Sequence, residues 1–170
     1  DGKGALITPL GYRTARRRPP RIIAGLSDTD PRRWAADMIG DCFERLGAVK
    51  GVDLEATGHS GAGISDGGAT TKIKYAERLR RIEAAANGWP SDRRCGPRDR
   101  RPRLALEVQR RRGSRCSIEV FPALVAVCVA GQCLDDVLRA AGWERRHRNR
   151  DRLQEALLGA LDDVAQALGN

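Results

Sequence analysis

The chain is poor in rings: three Trp, two Tyr and two Phe amount to 4% of its 170 residues. That excludes one large core built on aromatic packing and leaves room for one moderate domain or two small ones. Long apolar runs are missing as well. No stretch approaches the ~20 residues that cross a bilayer. No signal-peptide core lies between the N-terminal charges and a cleavage site, so no membrane association and a cytoplasmic location are expected. The chain opens on Asp1 rather than Met, which reads as a fragment or a processed chain.

Metal-binding spacing is absent too. Cys42, Cys95, Cys116, Cys128 and Cys133 contain no Cys-x-x-Cys pair. An odd number of cysteines without a secretion signal reads as reduced thiols. Cys128 and Cys133 fall on what read as apolar helix faces, where cysteine packs. Cys95, Cys116, Cys128, Cys133 and His147 are the set that would have to converge on zinc, and core thiols are the simpler reading. No metal and no cofactor is expected. Catalytic patterns fail in the same way. In GHSGAG, residues 58–63, no Lys-Ser or Lys-Thr follows at P-loop spacing, and no buried strand precedes it. His59 and Ser60 read as polar groups of a loop. The paired acids Asp135, Asp136, Asp162 and Asp163 lie along helices, where solvation or capping explains them. The chain is therefore not expected to be an enzyme.

Positive charge is what the chain has in excess. The net charge of +9 divides into +4 over residues 1–29, 0 over 30–90, +7 over 91–117 and −2 over 118–170. A polyanion, nucleic acid before membrane, is the partner such a balance implies. The cations concentrate in two places. Arg13, Arg16, Arg17, Arg18 and Arg21 sit in an N-terminal stretch without periodicity, read as a loosely ordered arm. Ten arginines lie between Ser91 and Ser117, where Pro97 and Pro102 keep the first half from being helical. Arg16, Arg17, Arg18, Arg110, Arg111 and Arg112 are the candidates for phosphate or nucleic-acid contact. A solubilising tail is the plainer alternative for the first group.

Between and after these arms the periodicity is helical. Asp30 and Pro31 start a helix as N-cap and first residue. Trp34, Met38, Cys42 and Leu46, joined by Ile39 and Phe43, give it an apolar face, and Gly47 closes it. A glycine-rich join covers 51–69. Thr70 or Thr71 is expected to cap a second helix running to about Asn87, with Ile73, Ala76, Leu79, Ile82, Glu83 and Ala86 on its faces and Lys72, Lys74, Arg78, Arg80 and Arg81 opposite. Gly88 and Pro90 end it around Trp89. Leu104 to Val108 reads as a short helix or a short strand, with helix preferred.

Three helices are expected from Ser117 to Gly169. The first is apolar at Ile118, Phe121, Leu124, Val125, Cys128 and Val129, with Pro122 in its opening turn. The second runs from Cys133 to Ala141 and stops at Gly142. The third opens in the basic run 144–152 and carries Leu153, Leu157, Leu161, Val164 and Leu168 on one stripe. A short helix, a glycine turn and a longer helix that begins in arginines is the outline of a helix-turn-helix unit. Arg145, Arg146, Arg148, Asn149, Arg150 and Arg152 are its candidate DNA contacts. Arg148 falls where a tight version of the motif places an apolar residue. A turn longer than the minimal one is therefore expected, with Trp143 as a buried plug. A three-helix bundle with a solvated arginine face is the alternative.

The run from Ala130 to Gly169 resembles a helix-turn-helix domain of alphaproteobacterial, phage-derived transcription regulators, including activators of gene transfer agent clusters. The matching features are Gly131, Leu134, Val137, Leu138, the Gly142-Trp143 pair and the helix from Leu153 to Leu168. Ser65 to Trp89 is similar to what precedes such domains, so the likeness covers about two thirds of the chain. The resemblance implies a factor that binds promoter DNA, contacts RNA polymerase, or travels with it in antitermination. The expected fold is all-α: a basic arm (1–29), a helical region with its glycine-rich loop (30–90), an arginine-rich linker (91–116) and a helix-turn-helix domain (117–170). The alternative function is a DNA-packaging component such as a small terminase subunit.

Overall fold

A computed structural model of the chain describes residues 22–47, 67–90, 100–108 and 115–169. Among these, the order is α1 (Pro31–Gly47), α2 (Gly67–Ala86), β1 (Leu104–Leu106), β2 (Ile118–Glu119), α3 (Val120–Cys128), α4 (Leu134–Ala140) and α5 (His147–Leu168). The all-α class holds: helices carry the fold, and the strands form one two-stranded antiparallel ribbon.

α5 is the axis of the packing, touching α1, α2, α3, α4 and β1. Its buried stripe is Leu153, Leu157, Ala160, Leu161, Val164 and Ala165. The steps of three and four predicted this face; of the expected set only Leu168 is left half-buried. The other helices supply buried Ile39 and Cys42 from α1, Ile82 and Ala86 from α2, Leu124 and Val127 from α3, and Leu138 from α4. All belong to one apolar cluster. The helices on either side of the expected 91–116 linker thus share a core.

α1 begins as its first residues require. The Asp30 carboxylate accepts the backbone N–H of Arg32 at 2.9 Å, satisfying one of the donors a helix start leaves open. Arg32 returns its guanidinium to the same carboxylate at 2.9 and 2.6 Å. This bond is the main reason the Asp30 carboxyl lies below its usual range. The buried face is turned from the expected one. Ala35, Ala36, Ile39 and Cys42 are enclosed, whereas Trp34, Met38 and Phe43 flank the core. Small residues at the centre of a helix contact let the backbones approach, so the large ones are displaced to its edges.

α2 starts at Gly67, so Thr70 and Thr71 lie within the helix and do not precede it. Glycine costs a helix about 1 kcal/mol relative to alanine, which the packing farther along offsets. Ile73, expected on an apolar face, is 60% exposed, because the core side of α2 is confined to its later turns around Leu79, Ile82 and Ala86.

Two helices end alike. After α2, Gly88 takes φ 66°; its N–H reaches the Ala85 carbonyl (2.9 Å), and Trp89 N–H reaches that of Ala84 (2.8 Å). After α4, Gly142 takes φ 73°, with bonds to the carbonyls of Arg139 (3.0 Å) and, from Trp143, Leu138 (2.8 Å). Each pair of bonds uses up carbonyls a helix end would leave open, in the αL closure that only glycine adopts without strain.

Leu104–Leu106 is a strand, not the helix expected for 104–108, and Ile118 belongs to its partner strand rather than to the first C-terminal helix. Leu104 stands opposite Glu119 and Leu106 opposite Ile118, with a bulge between. The pairing buries Leu106 and Ile118. Pro102 holds the entry extended, and the Val120 N–H donates to the Arg103 carbonyl at 2.8 Å, extending the contact.

Candidate nucleic-acid interface

The candidate surface is the corner between α4 and α5. α4 opens at Cys133, whose backbone N–H and thiol both donate to Asp136 Oδ2, at 3.2 and 2.9 Å. Cys133 is therefore a helix-capping residue, not part of an apolar helix face as its position suggested. The thiol bond, then the backbone N–H, with smaller help from Arg139 and Arg145, holds the Asp136 carboxyl below its usual range. Cys128 does pack as expected: it is buried, and desolvation pushes its thiol up to about 12. Burial also raises that of Cys42.

Six residues, Ala141 to Arg146, join α4 to α5. Trp143, expected as a buried plug between helices, is only half-buried. Its indole N–H donates to the Cys116 carbonyl at 2.7 Å, and the Arg115 guanidinium lies 5.8 Å from its ring centre. It tacks the corner onto the chain entering β2, because an indole N–H has no partner inside an apolar core. Arg146 is the N-cap of α5. Asn149 folds back on the corner, its side-chain amide donating to the Glu144 carbonyl at 2.9 Å.

The six expected contacts thus separate into two kinds. Arg146 pairs with Glu144 at 2.5 Å, Asn149 is turned to the backbone, and Arg150 forks onto Asp135 of α4. That last pair has Nε to Oδ1 at 3.1 Å and Nη2 to Oδ1 and Oδ2 at 2.9 and 2.8 Å. Arg145, Arg148 and Arg152 are exposed; Arg145 stands near enough to Asp136 to act on its carboxyl. Arg148 and Arg152 have no ion pair among the described residues. Arg139, at the end of α4 and 3.4 Å from Asp136, joins this exposed group; its place as the lone basic residue of α4 was the only sign in the sequence. Arg16, Arg17, Arg18, Arg110, Arg111 and Arg112 lie outside the described residues, as do Cys95, His59 and Ser60.

Around this corner the charge is cationic on balance: residues 135–152 hold six arginines against Asp135, Asp136, Glu144 and Asp151. Asp151 is engaged at 2.5 Å with His147, one turn earlier on α5. Exposed arginines at a helix start can bond phosphates or guanine edges, and the partial positive charge of the helix N-terminus adds to their field.

Several hollows adjoin α4 or α5 among the described residues. One of about 290 Å³ lies beneath the Asp135–Arg150 pair, walled by Ile22, Val127, Gln132 and Gln154. A shallow apolar one of about 340 Å³ runs between α3 and α4 along Pro122, Ala126, Val137 and Ala140. A third, of about 560 Å³, lies between α1 and α5 and is lined by Arg32, Asp151, Glu155 and Asp162. Among the described residues no three His, Cys, Asp or Glu side chains meet as a metal would require, and no helix is long and apolar enough to cross a membrane. Compared with protein-family models, curated proteins and solved structures, the chain matches none.

Proposed function

We propose that the chain is a non-enzymatic transcription regulator of the cytoplasm that binds duplex DNA through the α4–α5 corner. The observation that carries this reading is the set of exposed arginines there, Arg145, Arg148 and Arg152, of which the last two have no acidic partner among the described residues. Exposed cations gathered around a helix start, two of them without an acidic partner among the described residues, suit a polyanion. The resemblance to phage-derived regulators extends the reading to RNA polymerase as second partner. The chain would then act as activator or antiterminator on a phage-like gene cluster such as a gene transfer agent. The neutral to acidic flank of α5, with Glu155 and Asp162, leaves a second face for a protein partner.

The test is a gel-shift titration of promoter fragments with the full chain, with and without RNA polymerase. Retardation of DNA, or a supershift of the polymerase–promoter complex, is expected. Binding to neither ends the proposal.

A further inference from the structure

The arrangement at the corner assigns its arginines different tasks. We infer that Arg150 is a positioning residue, not a DNA contact: its pair with Asp135 aims Arg148 and Arg152 outward. The inference rests on the DNA-binding reading of the same surface.

Helix geometry makes the case. At 3.6 residues per turn, Arg148 and Arg152 are about 40° apart around α5, while Arg150 stands about 160° from either. A constraint that draws Arg150 toward α4 therefore turns the other two away from it. The pair has the form such a constraint needs. Its two bonds to separate carboxylate oxygens fix direction as well as distance, and Asp135 is the more enclosed partner, with 26% of its side chain exposed against 44% for Arg150. Beneath it lies the hollow walled by Ile22, Val127 and Gln132. On this side the ion pair joins α5 to α4 at the edge of that hollow, beside the half-buried Leu134. To contact a phosphate, Arg150 would have to give up three hydrogen bonds and leave Asp135 unpaired beside DNA.

The experiment uses the full chain, a short mixed-sequence DNA duplex, and fluorotryptophan labelling with the Trp143 fluorine signal assigned by Trp143→Phe. Arg150→Ala is expected to weaken duplex binding several-fold with an unchanged salt slope and to shift the Trp143 signal. Arg148→Ala should lower that slope by about 0.9, the value of one lost phosphate contact, and leave the Trp143 signal in place. Arg150→Lys keeps the charge but loses the fork, so it should fall between Arg150→Ala and the parent. The exchange Asp135→Arg with Arg150→Asp should restore both affinity and fluorine signal. A drop in slope for Arg150→Ala like that of Arg148→Ala overturns the assignment, and so does an unmoved Trp143 signal or an exchange that restores nothing. A parent chain that binds no duplex defeats the DNA reading and the aiming role with it. The fluorine signal alone then decides whether the pair fixes the corner.

Discussion

Trp89 and Trp143 are held by the same device. Each follows a glycine of positive φ at a helix end. Each donates its indole N–H to a backbone carbonyl, that of Arg101 at 2.8 Å and that of Cys116 at 2.7 Å. Each has an arginine near its ring face, Arg100 at 5.7 Å and Arg115 at 5.8 Å. The two carbonyls lie just ahead of β1 and β2, so the ends of α2 and α4 anchor the two strands of the ribbon separately.

Removing either indole N–H while keeping a ring should therefore be a modest and separable loss. Trp143→Phe is expected to cost about 1 kcal/mol, the usual net value of one hydrogen bond, with Trp89→Phe similar and the double variant near the sum. Gly142→Ala should cost about 1–2 kcal/mol, because alanine resists the left-handed backbone. Urea denaturation of the four variants reads these values; a Gly142→Ala chain as stable as the parent would contradict the closure described.

Salt dependence separates the corner from the arms. If Arg145, Arg148 and Arg152 each neutralise one phosphate, together they contribute a slope of about −2.7 in log affinity against log salt, or a roughly 40-fold loss between 50 and 200 mM. Replacing all three with alanine should remove that contribution, and replacing Arg146 should change the slope little. Replacing Arg145, Arg146 and Arg148 should also weaken sequence preference more than replacing Arg110, Arg111 and Arg112. Fluorescence anisotropy across a salt series provides both readings.

Cys128 gives the fold an alkaline limit. Its thiol ionises near 9 when unfolded and at about 12 when folded. The unfolded state then holds fewer protons between those values, and stability falls as pH rises through the window. The part due to Cys128 is present in full below pH 9, and the loss amounts to on the order of 4 kcal/mol by pH 12. Comparing denaturant midpoints of the parent and Cys128→Ala from pH 8 to 11 isolates it, and a constant difference would refute it. Thiol titration at pH 8 should find exposed Cys116 reactive, with Cys42 and Cys128 protected until unfolding.

Leu157, wholly buried on α5, should lose 2–5 kcal/mol on replacement by alanine, about the cost of a cavity in a packed core. Because α1, α2 and α5 share one cluster, the signals of Trp34 in α1 and Trp143 in the corner should lose structure at one denaturant midpoint. Two separate midpoints would mean that the core is divided.

The start of α1, the glycine stops and the long apolar stripe were legible from sequence, because all are local, whereas the start of α2 was not. Asp30 with Pro31, the glycines at 88 and 142, and the three-and-four spacing from Leu153 onward each need only near neighbours to be read. What escaped depends on distant partners. Leu104–Leu106 becomes a strand because Ile118 and Glu119 lie alongside. The face of α1 is set by what crosses it, which moved Ala35 and Ala36 to the centre and Trp34 to the edge. At the candidate interface the arginines were visible but their engagements were not. Nothing near Arg150 in sequence shows that Asp135 will take its fork, and nothing near Trp143 shows the Cys116 carbonyl.

The central place of α5 bears on kinetics. More than a hundred positions separate it along the chain from the α1 residues it packs against. Helical proteins usually rank among rapid folders because their contacts join near neighbours, whereas closing so wide a loop delays the encounter. This chain should acquire its native state more slowly than a bundle of equal helix content whose successive helices pair in turn.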